Sequence, residues 1–367
     1  MEFFIDFKKA LDKINHNILL QKMSHYGVRG ITLQWFANYL SNRSQLLSYK
    51  ETISTPKKLT CGVPQGSVLG PTLFLIFIND LPCSTSFFKF RLFADDSNIF
   101  HTFDAGQREI DVEEVNGHLN KVQTWCNVNK ITINLKKTNY MVIRGKRQTI
   151  TVSGAIRLAD TDISEVNVAP FIGIQIDSHL TWKSHIQMVN KCFRKKVGIL
   201  YKLRQFVPQY ILLLLYKSFI QPHILYGIEV WGSTYKSYLN CIHISQKMAM
   251  RAITFSTLRT HSEPLFQRFK ILDIIKLHQF SLLTFMYDLC NGTMPHSLYD
   301  YCQIVHHTYQ TRTCEKSMLY LPKCKTTQGQ FAISFLGVKL WNALPIKIRE
   351  KSTRSAFRKC LADYLLK

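Results

Sequence analysis

No CxxC pair occurs among the ten cysteines of this 367-residue chain. The spacing of Cys290, Cys302, Cys314 and Cys324 is too wide and irregular for a zinc module, even with His306 and His307 nearby. Free thiols in a reducing compartment are the expectation. Long apolar runs are missing as well. The greasiest stretch, Ile211–Tyr216, is followed by Lys217, Gln221, Pro222 and His223, far short of the ~20 apolar residues a membrane span requires. Glu2 and Asp6 interrupt the only early apolar segment, so no signal peptide is read there. There is no internal repeat and no low-complexity linker. The expectation from these absences is a soluble, non-secreted protein, nuclear or cytoplasmic, with no membrane and no stable protein partner.

Acidic residues are also scarce, 24 Asp+Glu against 47 Lys+Arg, for a net charge of +23. From Ser178 to Ile228 there is no Asp or Glu, yet Lys183, Lys191, Arg194, Lys195, Lys196, Lys202, Arg204 and Lys217 all fall there. A run of charge is usually a solvated face, but such faces mix signs, and a one-sign helix is better explained by a polyanion lying along it. So large a surplus repels itself in the compact state unless a polyanion screens it. Nucleic acid is the commonest such partner and an anionic membrane surface the main competitor. The remaining composition, 46% hydrophobic and 19% charged, is that of a globular protein. Its length suffices for two or three packed units.

Apolar patterning divides the chain. Phe3–Phe7 reads as a buried strand carrying a carboxylate at its end. A helix follows with Ile14, Ile18, Leu19 and Met23 on one side, and Gly27 and Gly30 separate it from a second over Ile31–Leu40. Thr60–Pro71 is a Gly/Pro-rich turn leading into an apolar helix over Thr72–Asp80. Phe87–Phe103 reads strand, tight turn, strand, with Asp95, Asp96, Ser97 and Asn98 at the turn. Arg108–Asn127 is an amphipathic helix on Val115, Leu119, Val122 and Cys126. Strands are expected at Ile131–Leu135, Tyr140–Ile143 and Phe171–Ile176. Trp182–Arg204 is expected to be a helix burying Ile186, Val189, Phe193, Val197 and Leu200, and the rest is mostly helical.

Two features carry chemistry. Asp6 ends a buried strand, and Asp95 with Asp96 occupies a hairpin turn. Adjacent acids in an apolar hairpin repel each other and are costly to desolvate unless cations neutralise them. Two Mg²⁺ ions roughly 3.5–4 Å apart, bridged by carboxylates, are the standard device for in-line phosphoryl transfer. By itself a DD pair in a turn is weak evidence, since Asp is a good turn residue. The second feature is GVPQGSVLGP, whose glycines let backbone approach a ligand closely and place the Gln65 amide within reach of a nucleotide. A plain Gly/Pro turn is the equal alternative.

Order decides between these readings. IDFKKALD, GVPQGSVLGP, LFADDSNIF, INLKKTNYMVI and FIGIQIDSHLTW follow one another, and YKSFIQPHILYGIEVWG and LWNALPIKIRE come later. This series resembles the successive palm motifs of LINE-type reverse transcriptases of non-LTR retrotransposons, closest to jockey-like animal elements. The resemblance implies an RNA-directed DNA polymerase using two Mg²⁺ ions, with Mn²⁺ as a possible substitute, an RNA template, a DNA primer and deoxynucleoside triphosphates. It implies an α+β fold: a right-hand palm of three or four antiparallel strands with two helices on one face, then a mainly helical thumb and a carboxyl-terminal extension. The expected divisions are 1–150, 151–270 and 271–367.

The roles it implies are specific. Asp6, Asp95 and Asp96 match the catalytic metal ligands, with the Phe7 carbonyl beside them. Leu11, Gln65 and Gly66 match residues that contact the incoming nucleotide, and Lys137 matches a lysine placed to protonate the leaving pyrophosphate. Phe171, Ile172, Gly173 and Ile174 match the hairpin that grips the primer end. Lys183, Lys191, Arg194, Lys195, Lys196, Lys202 and Arg204 would hold the template–primer backbone without reading its sequence. Leu11 stands where the family usually has an aromatic ring against the ribose 2′-hydroxyl, which puts ribonucleotide exclusion in doubt. Met1 lies five residues before Asp6, so the expectation is that the fingers are largely missing and that the chain alone has weak or no activity. The competing readings are a non-catalytic nucleic-acid-binding relic, another right-handed polymerase such as a group II intron maturase or an RNA-templated RNA polymerase, and a membrane-surface protein.

Overall fold

The computed structural model describes residues 1–103, 109–146, 148–301 and 318–366. The chain is mixed α+β and divides into two compact units, Met1–His179 and Leu180–Lys367.

The first unit is organised around its opening strand. In β1 (Glu2–Ile5) alternate side chains face opposite ways, so Phe3 and Ile5 enter one core while Phe4 enters another. The larger core receives helices α1 (His16–His25), α2 (Gly30–Leu40), α3 (Leu69–Ile78) and α4 (Val112–Val128) through Leu19, Met23, Leu40, Phe74, Phe77, Leu119 and Val122. Asn15 starts α1 by accepting from the Ile18 N–H at 3.1 Å. Asp111 starts α4 by accepting from Glu113 and Glu114 at 3.1 Å each. Each cap satisfies backbone donors that the first helical turn leaves unpaired.

The sheet comprises β1, β2 (Lys89–Phe93), β3 (Asp96–Phe100), β4 (Asn139–Met141) and β5 (Ser164–Glu165), in the order β5-β4-β1-β3-β2. All neighbours are antiparallel except β5 on β4. The expected sheet of three or four antiparallel strands is thus five-stranded with one parallel edge. A hairpin of β6 (Val168–Phe171) and β7 (Ile174–Asp177) closes the smaller core, where Ala169, Phe171 and Ile176 meet Phe4 and Met141.

Four local expectations shift. Ile131–Leu135 forms an isolated bridge, Ile133 with Phe7, flanked by the bonds from Lys8 N–H to Thr132 O and from Asn134 N–H to Asp6 O. The hairpin turn is Ala94–Asp95, and Ser97 and Asn98 lie buried in β3. Helix α3 begins at Leu69, ahead of Pro71, since proline is tolerated in a first turn. Phe171–Ile176 is no continuous strand but contains a two-residue turn at Ile172–Gly173. The first compact unit runs to His179, and the 168–177 hairpin packs with the sheet. The expected helix start at Arg108, and Cys302, Cys314, His306 and His307, lie outside the described residues.

In the second unit α5 (Lys183–Leu203) buries Ile186, Val189, Phe193, Val197 and Leu200, as its periodicity requires. After α6 (Gln209–Leu215) it meets α7 (Lys236–Ile253), where the Ser245 hydroxyl donates to Asn190 at 2.7 Å. A further core joins α8 (Ile274–Cys290), α9 (Ile333–Ala343) and α10 (Arg354–Leu366) through Met286, Tyr287, Val338, Trp341 and Phe357. Among the described residues no helix is long and apolar enough to cross a membrane.

Candidate active site

Strand register brings the first carboxylates together. Ile5 pairs with Ser97, so one step further Asp6 stands opposite Asp96 at the turn end of the β2–β3 hairpin. Phe93 pairs with Asp96, leaving Ala94 and Asp95 as the loop, with Ala94 in the left-handed region at φ 52°. The Asp96 carboxyl is pushed above the usual carboxylate range. Desolvation contributes most, then the Asp95 charge and, more weakly, the Asp6 charge, against the lowering effect of a hydrogen bond donated by the Ile172 N–H. Three acids therefore share one local field.

Asp6 is held from the other side. Its Oδ2 accepts from Asn134 Nδ2 at 2.8 Å, its carbonyl accepts from the Asn134 N–H at 2.7 Å, and its own N–H reaches the Thr138 hydroxyl at 3.4 Å. Lys137 places its ammonium 4.0 Å from Asp6 Oδ2 while remaining largely exposed. Phe7 packs its ring into the larger core. The bonds flanking its bridge to Ile133 run from Lys8 to Thr132 and from Asn134 to Asp6, which places the Phe7 carbonyl outside that ladder.

The β6–β7 turn completes this group. Ile172 and Gly173 both have positive φ, 45° and 74°. A β-branched residue rarely adopts that conformation, and such strain gathers where a site needs it. Here it aims the Ile172 N–H at Asp96. The sequence motifs thus place Asp6, Asp95, Asp96, Lys137 and the Phe171–Ile174 turn in one neighbourhood.

Carboxylates with a peptide carbonyl beside them form the all-oxygen donor set that a hard divalent cation prefers, and the raised Asp96 is what a cation would relieve. The residues fit such an ion in chemistry. The arrangement is not closed, however: among the described residues no three His, Cys, Asp or Glu side chains converge tightly enough to hold a metal as they stand.

The nucleotide-contact candidates belong to the same unit. Segments 11–16 and 61–65 are zipped together by Val63 N–H to Leu11 O at 2.9 Å, Gly62 N–H to Ile14 O at 2.8 Å and a His16 Nε2–Gly62 O contact at 2.7 Å. They border a cleft of about 700 Å³ lined by Lys9, Lys13, His16, Arg43 and Gln65 among others. Leu11 instead packs, half-buried, on the larger core. Gly66 takes φ 77° with open space around it.

In the second unit, Lys183, Lys191, Arg194 and Lys195 line a groove of about 530 Å³ between α5 and α7. Gln187, Asn190, Ser237 and Tyr238 also line it, and among the described residues no acid does. Lys202 is exposed and Arg204 half-buried, 5.4 Å over the Tyr201 ring. Lys196 departs from the expected row. It is buried, donates to the Phe219 carbonyl at 2.9 Å and lies 4.2 Å over the Phe219 ring. Its position in the helix repeat turns it inward with Phe193 and Val197. Sequence reasoning missed Asn134, although it stands three residues before Lys137 in the same motif, and the α7 side of the groove, for which no local signal exists.

This neighbourhood of acids at one end of the sheet's inner strands, backed by the strained turn, falls within residues 2–176, which match the family model described as reverse transcriptase (RNA-dependent DNA polymerase). That stretch is similar to reverse transcriptases, a family whose members generally use a divalent metal. The chain is homologous to polymerases of non-LTR retrotransposons. It is 28% identical over 268 residues to the RNA-directed DNA polymerase from mobile element jockey of Drosophila melanogaster. It is 27% identical over 267 residues to the probable RNA-directed DNA polymerase from transposon BS of the same fly, and 27% over 258 residues to that from transposon X-element. Each match takes in 68% of this chain and 28% of the relative, so the chain spans little more than a quarter of the length of the curated relatives it matches.

Proposed function

We propose that the first unit is the palm of an RNA-directed DNA polymerase and that the second supplies the thumb, copying RNA into DNA by addition of deoxynucleotides to a primer end. The observation that carries this reading is the Asp6–Asp96 register with Asp95 alongside, because desolvation and, after it, the neighbouring acids raise Asp96, a cost that bound cations would offset.

In the reaction the primer 3′-oxygen bonds to the α-phosphorus, the bond from that phosphorus to the bridging oxygen breaks, and pyrophosphate leaves. Asp6, Asp95, Asp96 and the Phe7 carbonyl would hold two Mg²⁺ ions, which when bound acidify the hydroxyl and stabilise charge on the phosphates. Asn134 holds the Asp6 carboxylate by its hydrogen bond. Lys137 lies close enough to Asp6 to serve the same centre and has protons to give to the departing pyrophosphate. The β6–β7 turn, tied to Asp96 through Ile172, is suited to place the primer end. On α5, Lys183, Lys191, Arg194 and Lys195 supply a cationic groove for the phosphodiester backbone of a template–primer duplex. Lys202 and Arg204 would extend it.

The test is single-nucleotide extension of a DNA primer on an RNA template with Mg²⁺. Asp95→Asn and Asp96→Asn should each reduce the rate by on the order of 10²–10³-fold or more while leaving duplex binding intact. Duplex binding with no Mg²⁺-dependent synthesis by the unaltered chain would favour a nucleic-acid-binding relic. Preference for ribonucleotides would favour an RNA polymerase.

A further inference from the structure

We infer that Asp12 is a positioning residue for the nucleotide site: its carboxylate fixes the orientation of the Gln65 side-chain amide at the mouth of the basic cleft. This rests on the polymerase reading and deepens it. Gln65 Nε2 donates to Asp12 Oδ1 at 2.7 Å, and both side chains are exposed, so the bond does not serve a core. A carboxylate only accepts, so it selects the NH₂ end of the amide and leaves Gln65 Oε1, an acceptor, turned elsewhere. Without that partner the amide has two faces of nearly equal size and no reason to present one.

The backbones around the pair are already fixed. Leu11 and Ile14 accept from Val63 and Gly62, His16 meets the Gly62 carbonyl, and Asn15 forms a bridge with Cys61. What stays free is the end of the Gln65 side chain, and Asp12 is what holds it. Among the cleft's lining residues Asp12 is the sole acid, set among Lys9, Lys13, His16 and Arg43. An anion in a cleft suited to a polyanionic ligand repels that ligand unless it serves another group. Engagement with Gln65 gives it that use, and the charge makes the hydrogen bond stronger than a neutral one.

The experiment measures dNTP affinity and, on an RNA-templated primer, KM and kcat, for the full chain and for Asp12→Ala, Asp12→Asn, Gln65→Ala and Asp12→Ala/Gln65→Ala. Asp12→Ala should weaken dNTP binding and raise KM roughly tenfold with kcat within about threefold, the size of one lost charge-assisted bond. Asp12→Asn keeps an acceptor oxygen and should recover most of the loss. The double variant should be no worse than Gln65→Ala alone, because the two act as one unit. Melting temperatures of the Asp12 variants should stay within about 2 °C of the parent, as for exposed sites. Unchanged dNTP affinity in Asp12→Ala, or additive losses in the double variant, would overturn the inference while leaving the polymerase reading standing. An unaltered chain that binds no dNTP would overturn both.

Discussion

Replacing Gly62 with alanine tests how the nucleotide segment is locked to the segment after β1. Gly62 sits at φ +86°, and a Cβ there would meet the Asp12 carbonyl oxygen at 2.7 Å and its carbonyl carbon and Cα at 2.9 Å, all of them backbone. Gly66, four residues on, has a similar φ of +77°, but a methyl group there would find nothing within 4 Å. Both substitutions carry the left-handed penalty of about 1–2 kcal/mol. Gly62→Ala adds an overpacking cost of roughly 1–3 kcal/mol, because backbone cannot swing aside as a flexible side chain would. The predicted losses are about 1–2 kcal/mol for Gly66→Ala and about 2–5 kcal/mol for Gly62→Ala. For a unit of this size the difference amounts to roughly 2–12 °C in melting temperature. Thermal and urea unfolding of the two variants, followed by far-UV circular dichroism, gives both numbers. Equal losses at the two positions would refute the close approach of 61–65 to Asp12, and with it the geometry that seats Gln65.

Other outcomes follow from the second unit. His278 is buried against the Ser233 hydroxyl at 3.1 Å, and burial holds its ring down to about 4 from an ordinary 6.5. The unfolded chain takes up the proton first as pH falls, so this stability is intact above pH 6.5 and is lost toward pH 4, by up to about 3 kcal/mol. Urea titrations across that window should show the slope in the parent and its loss in His278→Gln; parallel curves would contradict it. Lys195→Gln should weaken duplex binding and lower the salt slope by about 0.9, the signature of one phosphate contact. Lys196→Gln should leave the slope unchanged and lower the melting temperature instead, because its ammonium serves the Phe219 carbonyl. A changed slope for Lys196→Gln would return it to the binding row.

The parts of this fold legible in sequence are those set by one strong local period. The buried faces of α4 and α5 follow from their apolar spacing, and β1 from its short apolar run. What escaped depended on partners distant in the chain. Ile131–Leu135 has the composition of a strand, yet its pairing is an isolated bridge to the distant Phe7. Ser97 and Asn98 look like turn residues beside two aspartates, yet pairing with β1 pulls them into the sheet. Lys196 belongs to a one-sign run whose other members are exposed or half-buried, and only the helix phase against Phe219 reveals it as interior. The carboxylates were legible as a motif series, whereas the hydrogen bonds that orient them, from Asn134 and Ile172, and the Asp12–Gln65 pair were not. Each joins segments whose proximity no local pattern encodes.

The central claim is that Asp6 and the Asp95–Asp96 turn form one divalent-cation site. Iron(II) substituted for Mg²⁺ and supplied with peroxide cuts backbone near the bound metal, and mass spectrometry of the products maps where. The account predicts cuts at both places in the same sample, around Asp6 and around Asp95–Asp96, suppressed together by excess Mg²⁺ and lost in Asp96→Asn. Cleavage at only one of the two places, or at neither, would contradict it.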